Sequence, residues 1–219
     1  MQLFRFCLLA SVLASPSLAL ASKTSDYVYV GYQNARVSDN GFQDYFEGAY
    51  NNQGSKDLYG VFLGGNHALN NGWFVTADLE ATTRSSTSVS DFSFGAGHSF
   101  STSESLELYI HTGVNWVSAE RRSSCRNDDF LGACDREVTN NKDTAMYGEL
   151  GGVYYLNDRW SMHPSNSYSD VYSNGINKLN VGNVFRLSSW FSLEANYGYT
   201  YSKHLKQNNI QLGGRFSFD

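Results

Sequence analysis

The sequence predicts an all-β fold, a closed antiparallel barrel that crosses a membrane with its strands. Three observations lead to this prediction. Apolar and polar residues alternate over ten or more positions at a time, charged residues stand in the middle of the polar faces, and the mature chain has no run of roughly 18 apolar residues that would form a spanning helix. A closed barrel in lipid accommodates both faces, with apolar side chains outward and charges inward.

The alternation is clear in the stretch WFVTADLEATT. Trp73, Val75 and Leu79 share one face, while Asp78 and Glu80 share the other. The same period of two recurs in LELYIHTGVNW, FSLEANYGYTY and NIQLGGRFSF. Such stretches match the roughly 9–11 residues that a tilted strand needs to cross a bilayer.

Counting these stretches gives ten strands, with eight as the alternative if the irregular seventh and its neighbour do not both span. An even count places both termini on one side. Longer loops are predicted at 38–56 and 120–143, opposite the short turns. The strands are predicted at 26–37, 57–69, 73–84, 89–100, 106–119, 144–156, 160–172, 178–187, 190–202 and 207–218.

The N-terminus has the form of a secretory signal peptide over residues 1–21. An apolar run follows Arg5, and Ala19-Leu20-Ala21 fits the small-residue cleavage rule. The barrel domain is then 22–219. Its formal charge is one unit more negative than the −5 of the whole chain, which argues against a nucleic-acid partner.

Two cysteines remain after cleavage, Cys125 and Cys134, in a polar stretch. An even pair in an exported protein predicts one disulfide that closes a short loop, and two free thiols are the alternative. No histidine or further cysteine lies nearby, so the sequence predicts no metal site and no cofactor.

Three tight polar turns, LNNGW, LNDRW and LSSW, end in tryptophan. Trp73, Trp160 and Trp190 therefore begin strands on the same side of the barrel. Tryptophan favours the membrane–water interface, so these residues predict one aromatic girdle.

The inward faces carry charges of both signs, which predicts an interior network of ion pairs and water rather than a selective ion path. Its predicted members are Asp78, Glu80, Glu107, Glu149, Glu194, Lys178, Arg186 and Arg215.

The chain resembles the small outer-membrane β-barrels of Gram-negative bacteria, the superfamily of the OmpA barrel and the OmpX/Ail proteins. The resemblance rests on the signal peptide, YVYVGY, YSDVYSN, SSWFSLEANYGYTYS and the closing IQLGGRFSF. It implies the cell outer membrane as the location, with membrane lipid, lipopolysaccharide and the barrel-assembly machinery as partners. Such barrels usually end on an aromatic residue, whereas Asp219 follows Phe218 here.

The stretch MHPSNSYSD contains His163, Ser165 and Asn166, which resemble in spacing the His-x-Ser-Asn of the lipid A deacylase barrels. Position 177 is Asn where that resemblance implies an acid. The alternation of odd- and even-numbered residues along the strand also places His163 and Ser165 on the face that points into the lumen, away from a lipid substrate. No catalytic residue is therefore predicted. Pro164 predicts a bulge that interrupts strand seven.

The leading functional hypothesis is a non-enzymatic envelope or surface-interaction role through the outer loops, with an extracellular protein as ligand. Phe130 and Leu131 are a candidate contact point, and a merely solvated loop is weighed equally. The alternatives are a narrow, porin-like solute channel and, less favoured, a lipid A-modifying hydrolase.

Overall fold

The computed structural model describes residues 26–38, 41–46, 57–122, 138–173 and 175–218. Ten strands and one short helix make up most of these residues. They are β1 (Asp26–Val37), α1 (Phe42–Tyr45), β2 (Asp57–Ala68), β3 (Trp73–Arg84), β4 (Thr87–Ser101), β5 (Leu106–Arg122), β6 (Val138–Asn157), β7 (Trp160–Ser169), β8 (Ile176–Arg186), β9 (Phe191–Tyr201) and β10 (Lys206–Phe218).

The strands form one closed antiparallel barrel. Each strand pairs with its sequence neighbours, and β1 pairs with β10 from Asp26 opposite Phe218 to Val37 opposite Gln207. The ten-strand prediction is confirmed, and the eight-strand alternative is wrong because β7 and β8 both pair on both sides. Within the described part of the chain, none of the helices has the length and apolar character needed to cross a membrane.

The outer surface of the barrel is apolar around its circumference. On β1, whose facing the sequence leaves ambiguous, Val28, Val30 and Tyr32 point outward and are 43–53% exposed. Other strands expose similar side chains, namely Val61, Leu63, Leu79, Phe94, Leu108, Met146, Leu150, Leu179, Val181, Leu193, Ile210 and Leu212. Because so much apolar area is stable only in an apolar medium, this surface fits lipid.

Strands β5 and β6 are longer than predicted. They span 17 and 20 residues and stay paired up to Arg122 opposite Val138. The predicted loop at 120–143 is therefore wrong in its bounds, because polar residues at both of its ends continue the ladder. The signal peptide, Cys125, Cys134 and Asp219 lie outside the described residues, so those predictions stay predictions.

The bulge predicted at Pro164 is wrong, whereas the predicted interruption of strand seven is found on its β6 side only. The pairing of β7 with β8 runs unbroken through Pro164 opposite Val181, and the register shift between β6 and β7 lies between Tyr155 and Asn157 instead. The loss of pairing at the proline is local. The pair Gly152–Pro164 and the neighbouring pair are missing from the ladder between β6 and β7, but the register is the same on both sides of this gap.

The direction of the hydrogen bonds explains why the proline is tolerated. The N–H of Tyr155 donates to the carbonyl of Ser105 on the β5 side (2.8 Å). Since backbone groups alternate sides along a strand, the even-numbered residues of β6, including Gly152, bond towards β7. Pro164 faces Gly152, so its missing N–H costs one bond to β6 and none to β8.

We expect Pro164→Ala to stabilise the barrel by about 1 kcal/mol. The restored N–H supplies a bond to Gly152 worth roughly 1–3 kcal/mol where water is excluded, which exceeds the loss of about 0.4–1 kcal/mol from a more flexible unfolded chain. Urea unfolding in lipid vesicles, followed by tryptophan fluorescence, measures the change. Pro164→Val should gain a similar amount; unchanged stability in both variants contradicts this account.

Candidate functional site

The two ends of the barrel differ. At one end, called the turn end, the connections 69–72, 102–105, 158–159 and 187–190 join the strands closely. Trp73, Trp160 and Trp190 all lie at this end and are 53%, 42% and 60% exposed. The opposite end, called the loop end, holds α1, the connection between β7 and β8 and the extended tips of β5 and β6. The proposed aromatic girdle and the loops thus lie at opposite ends.

The barrel encloses a cavity of about 470 Å³. All eight residues of the predicted charge network line it, and so do Asn157, Asp158 and Trp160 at the turn end. Tyr45, Val117 and Val171 line it at the loop end. The cavity therefore extends along the lumen, and its walls change from polar to apolar towards the loop end.

One ion pair crosses the lumen. Lys178 Nζ on β8 lies 2.5 Å from Glu80 Oε1 on β3, and these strands stand on opposite sides of the ring. Asn209 Nδ2 on β10 lies 3.5 Å from the other oxygen of Glu80. Side chains from three separated strands thus converge on one carboxylate and obstruct the lumen below the loop end.

Two other predicted acids have tyrosine partners. Tyr29 donates its hydroxyl to Asp78, and Tyr109 donates to Glu149 Oε1 over 2.7 Å. A tyrosine hydroxyl satisfies a carboxylate without adding a charge. The sequence predicts that these acids face inward, but it does not predict their partners.

A second ion pair lies nearer the turn end. Arg215 Nε donates to Glu194 Oε2 over 2.9 Å, and its guanidinium stands 4.2 Å from the ring centre of Tyr27. The arginine is held by charge on one side and by an aromatic face on the other. Glu107 and Arg186 also line the lumen.

Two further polar groups of the lumen are not members of the predicted charge network. Asp91 accepts a hydrogen bond from Asn115 Nδ2 over 2.5 Å. His111 lies 2.8 Å from the Thr76 hydroxyl and 2.9 Å from the Tyr147 hydroxyl through Nε2. Parity along β4 was the signal that would have found Asp91, because it shares the inward face with Val89.

His163 and Ser165 both line the lumen, as parity predicts. His163 Nε2 lies 2.9 Å from the hydroxyl of Ser161 rather than that of Ser165. Across the β6–β7 ladder, Ser165 stands opposite Gly151 and next to Glu149. His163 and Ser165 therefore contribute polar lining to the interior, whereas Asn166 lies on the outer face of β7, between Leu150 and Leu179.

An apolar lid closes the loop end. The lid consists of residues 41–46, which include α1, together with Val171 and Tyr172. Phe42, Tyr45 and Phe46 are 2%, 6% and 4% exposed. They pack in one cluster with inward side chains from several strands and from the turn before β10, namely Ala35, Val37, Leu58, Val89, Val117, Ala119 and Leu205. Because β1, β2, β4 and β5 all contribute, the lid rests on a wide arc of the wall.

Asp44 fastens the lid to the turn between β9 and β10. The Ser202 hydroxyl and the backbone N–H groups of His204 and Leu205 donate to Asp44 Oδ2, the last two over 2.9 and 2.8 Å. His204 Nδ1 lies 2.8 Å from the other carboxylate oxygen. Burial alone would raise the pKa of Asp44, but these hydrogen bonds outweigh it and hold the pKa below its usual value of 3.8.

The lid is also tied to β6. Asn141 Nδ2 donates to the carbonyl of Tyr45 over 2.9 Å, and the backbone N–H of Tyr172 donates to Asp143. Both β6 residues are odd-numbered and point inward. The inner face of the long β6 strand therefore holds the lid in place.

Strands β5 and β6 project beyond the apolar belt. Trp116, stacked on Phe92 at a ring distance of 5.3 Å, is the last large apolar residue on the outer face of β5. Beyond it the outer faces are mostly polar, with Ser118, Glu120 and Arg122 on β5 and Lys142 and Asn140 on β6; Val138 is an exposed apolar exception. We call residues 118–122 and 138–144 the projecting ribbon.

No protein-family model matches the chain, and no curated protein sequence matches it either. Among solved structures, Ail, the attachment invasion locus protein of Yersinia pestis, is 17% identical with a TM-score of 0.42 and covers 89% of this chain and 99% of its own. The NanC porin is 12% identical with a TM-score of 0.48, and the match covers 87% of this chain and 100% of the porin. Neisserial surface protein A is 12% identical with a TM-score of 0.42, and the match covers 89% of this chain and 98% of that protein. Likenesses at this level do not distinguish one activity from another, and the barrel follows from the strand pairing itself.

The lid attachment should weaken in acid. A carboxylate whose pKa is lowered in the folded state stabilises that state above its usual pKa of 3.8 and loses this effect as the pH falls through the lowered value. We expect the exchange protection of the His204 and Leu205 amides to fall by about tenfold, equivalent to one hydrogen bond to a charged group, between pH 7 and pH 2. Nuclear magnetic resonance in detergent micelles, corrected for intrinsic exchange rates, measures this.

Asp44→Asn is the matched variant for this measurement. It should show low protection of both amides at pH 7 and no further loss at pH 2, because it has no carboxylate to titrate. A wild-type protection that stays constant down to pH 2, or a variant that keeps it, would contradict the role given to Asp44.

Proposed function

We propose that the protein is a non-enzymatic outer-membrane barrel that presents the projecting ribbon outside the cell as a contact surface. The apolar belt supports a place in a membrane, since a closed ladder with an apolar exterior satisfies its own backbone in lipid. In such barrels short turns face the periplasm and longer connections face outside. The turn end with its three tryptophans is then periplasmic, and the lid and ribbon are extracellular.

The closed loop end is the observation that carries the proposal. The lid packs apolar side chains against the inner faces of several strands, and the Lys178–Glu80 pair spans the lumen beneath it. A hydrated solute path needs polar lining at every level, whereas Phe42, Phe46 and Val171 are nearly inaccessible to water. This arrangement favours a contact role over the alternative of a solute channel.

The interior motif supports a non-enzymatic reading. A lipid A hydrolase needs its nucleophile within reach of a substrate in the membrane. Here His163 bonds to Ser161 inside the barrel, and the outer face of β7 presents Pro164, Asn166 and Tyr168, without a nucleophile and base. An acid, Glu149, does lie beside Ser165, but it is already bonded to Tyr109. The motif is therefore better explained as polar lining.

We expect the wild-type protein to show no discrete conductance steps in a planar lipid bilayer at neutral pH. The physical reason is the apolar lid, which excludes hydrated ions. A porin of known conductance, inserted under the same conditions, is the positive control, and heat-dependent migration in gels verifies that the barrel is folded. Reproducible stepwise currents from the wild type would favour the channel and overturn this part of the proposal.

The contact role is tested by shortening the ribbon. Replacing residues 120–140 with Asn-Gly closes the strands on Ala119 and Asn141, an odd-numbered hydrogen-bonded pair, with a two-residue turn. This change keeps Asn141 and Asp143, so the lid anchors remain. Bacteria that display the wild type should adhere to plates coated with extracellular-matrix or serum proteins, and the shortened variant should lose most of this adhesion.

Ser86→Ala, in the β3–β4 turn at the same end, is the matched control and should adhere like the wild type. Surface display of each variant is checked with an antibody before adhesion is compared. Equal adhesion by the shortened variant, or none by the wild type, would contradict the contact role.

A further inference from the structure

One polar side chain stands in the middle of the apolar belt. Asn166 lies on the outer face of β7, where its cross-strand neighbours are Leu150 on β6 and Leu179 on β8. Both leucines are exposed, at 55% and 45%, and the asparagine is exposed as well. The amide of Asn166 therefore projects into the same medium as the leucines that flank it.

The position of Asn166 along β7 places it deep in the membrane. The strand begins at Trp160, which lies at the turn end. With a rise of about 3.3 Å per residue and a tilt of about 40°, Asn166 stands roughly 15 Å from Trp160 along the membrane normal. The apolar band of such barrels is about 25 Å tall, so the amide lies near its middle.

The amide of Asn166 has no partner within the described residues, where no hydrogen bond involves its side chain. Two other asparagines on the outer faces differ in this respect. Asn183 accepts a hydrogen bond from Trp160 Nε1 over 3.4 Å. Asn208 accepts one from the Tyr197 hydroxyl over 2.7 Å. Hydrocarbon supplies neither a donor nor an acceptor, so the isolated amide of Asn166 is unfavourable in lipid.

A backbone carbonyl close to Asn166 also lacks a donor. Gly152 directs its C=O towards Pro164, which has no N–H, and this pair is missing from the ladder. Pro164 and Asn166 are successive residues on the outer face of β7. A Cβ added at Gly148, on the outer face of β6, would meet no atom within 4 Å. The outer surface is therefore low and open beside these polar groups.

We call Gly148, Gly152, Pro164 and Asn166 the mid-belt patch. We propose that the mid-belt patch binds the same patch of a second copy of this chain, so that two barrels associate side by side through a pair of Asn166 amides. A primary amide both donates and accepts, so the amides of two copies complete each other. The glycines allow the two walls to approach closely.

The membrane itself provides the alignment. All copies of a barrel have the same orientation in the membrane, so Asn166 lies at the same depth in each. A two-fold axis along the membrane normal then brings the two amides together. The projecting ribbon takes no part, so this association is independent of the contact role proposed above.

Two other occupants fit the mid-belt patch less well. Lipid acyl chains can fill the space above the glycines, but they form no hydrogen bond with an amide. Lipid headgroups have donors and acceptors, but they lie about 12 Å or more from the middle of the band. A different membrane protein would need a polar group at this same depth, whereas a second copy always has one.

The test measures association of the full-length barrel in lipid vesicles. Copies that carry a donor or an acceptor dye at the amino terminus are inserted from one side into preformed vesicles, and Förster transfer is followed as lipid is added. We expect transfer to fall with dilution and, at a fixed protein-to-lipid ratio, to rise linearly with the acceptor fraction, as it does for a dimer.

Asn166→Leu removes the amide and matches the leucines on either side. We expect it to raise the apparent dissociation constant about tenfold, because a pair of amides forms two hydrogen bonds. Asn208→Leu makes the same substitution on the outer face of β10, away from the mid-belt patch. It is the matched control and should associate like the wild type.

Gly148→Leu is a second variant that tests the close approach. Its side chain enters open space, so the barrel should fold, but the two walls are held apart and association should weaken at least about fivefold. Heat-dependent migration in gels verifies that each variant is folded before association is compared.

Three results would overturn the proposal. The first is a wild type that stays monomeric at every protein-to-lipid ratio, and the second is an unchanged dissociation constant in both Asn166→Leu and Gly148→Leu. The third is an equal loss of association in Asn208→Leu, which would mean that the copies meet through unspecific polar contacts on the outer surface.

Discussion

The structure depends on one constraint, the closure of the backbone hydrogen-bond ladder. In hydrocarbon each N–H and C=O must find its partner within the protein, and the pairing of β1 with β10 removes the last open edge. Closure determines which alternate residues of each strand face outward. Apolar side chains then face the lipid, and charged side chains face the lumen. Closure also explains where departures are tolerated. Pro164 loses a bond on one side only, and within the described residues β6 extends past its partner β7 only beyond the apolar belt, where water is present.

Much of this fold was predictable because the alternation of apolar and polar residues along a strand is a local property of the sequence. The strand count and the inward placement of Asp78, Glu80 and Glu194 follow from a period of two that is visible in the sequence. Their partners were not predictable, because a partner depends on position around the ring. Lys178 meets Glu80 only because β8 and β3 stand on opposite sides of a ten-stranded barrel, and neither residue indicates this by itself.

The lid and the ribbon show two limits of reasoning from sequence. The GFQDYF segment that forms the lid is too short for a helical period to be recognised, and its burial depends on the width of the mouth it fills. The ribbon was read as a loop because its residues are polar. Strands outside a membrane have no need of an apolar outer face, so the ladder continues through Glu120 and Asn140 after the apolar belt has ended. In both segments the surroundings, rather than the local sequence, decide the structure.

The long β6 strand connects these two features. Its odd-numbered residues Asn141 and Asp143 hold the lid from inside, while the side chains of its even-numbered residues Asn140 and Lys142 are exposed on the outside. Alternation thus places the anchors of the lid and the proposed contact surface on one short segment. A partner that binds the projecting ribbon would therefore contact the same strand that holds the lid in place.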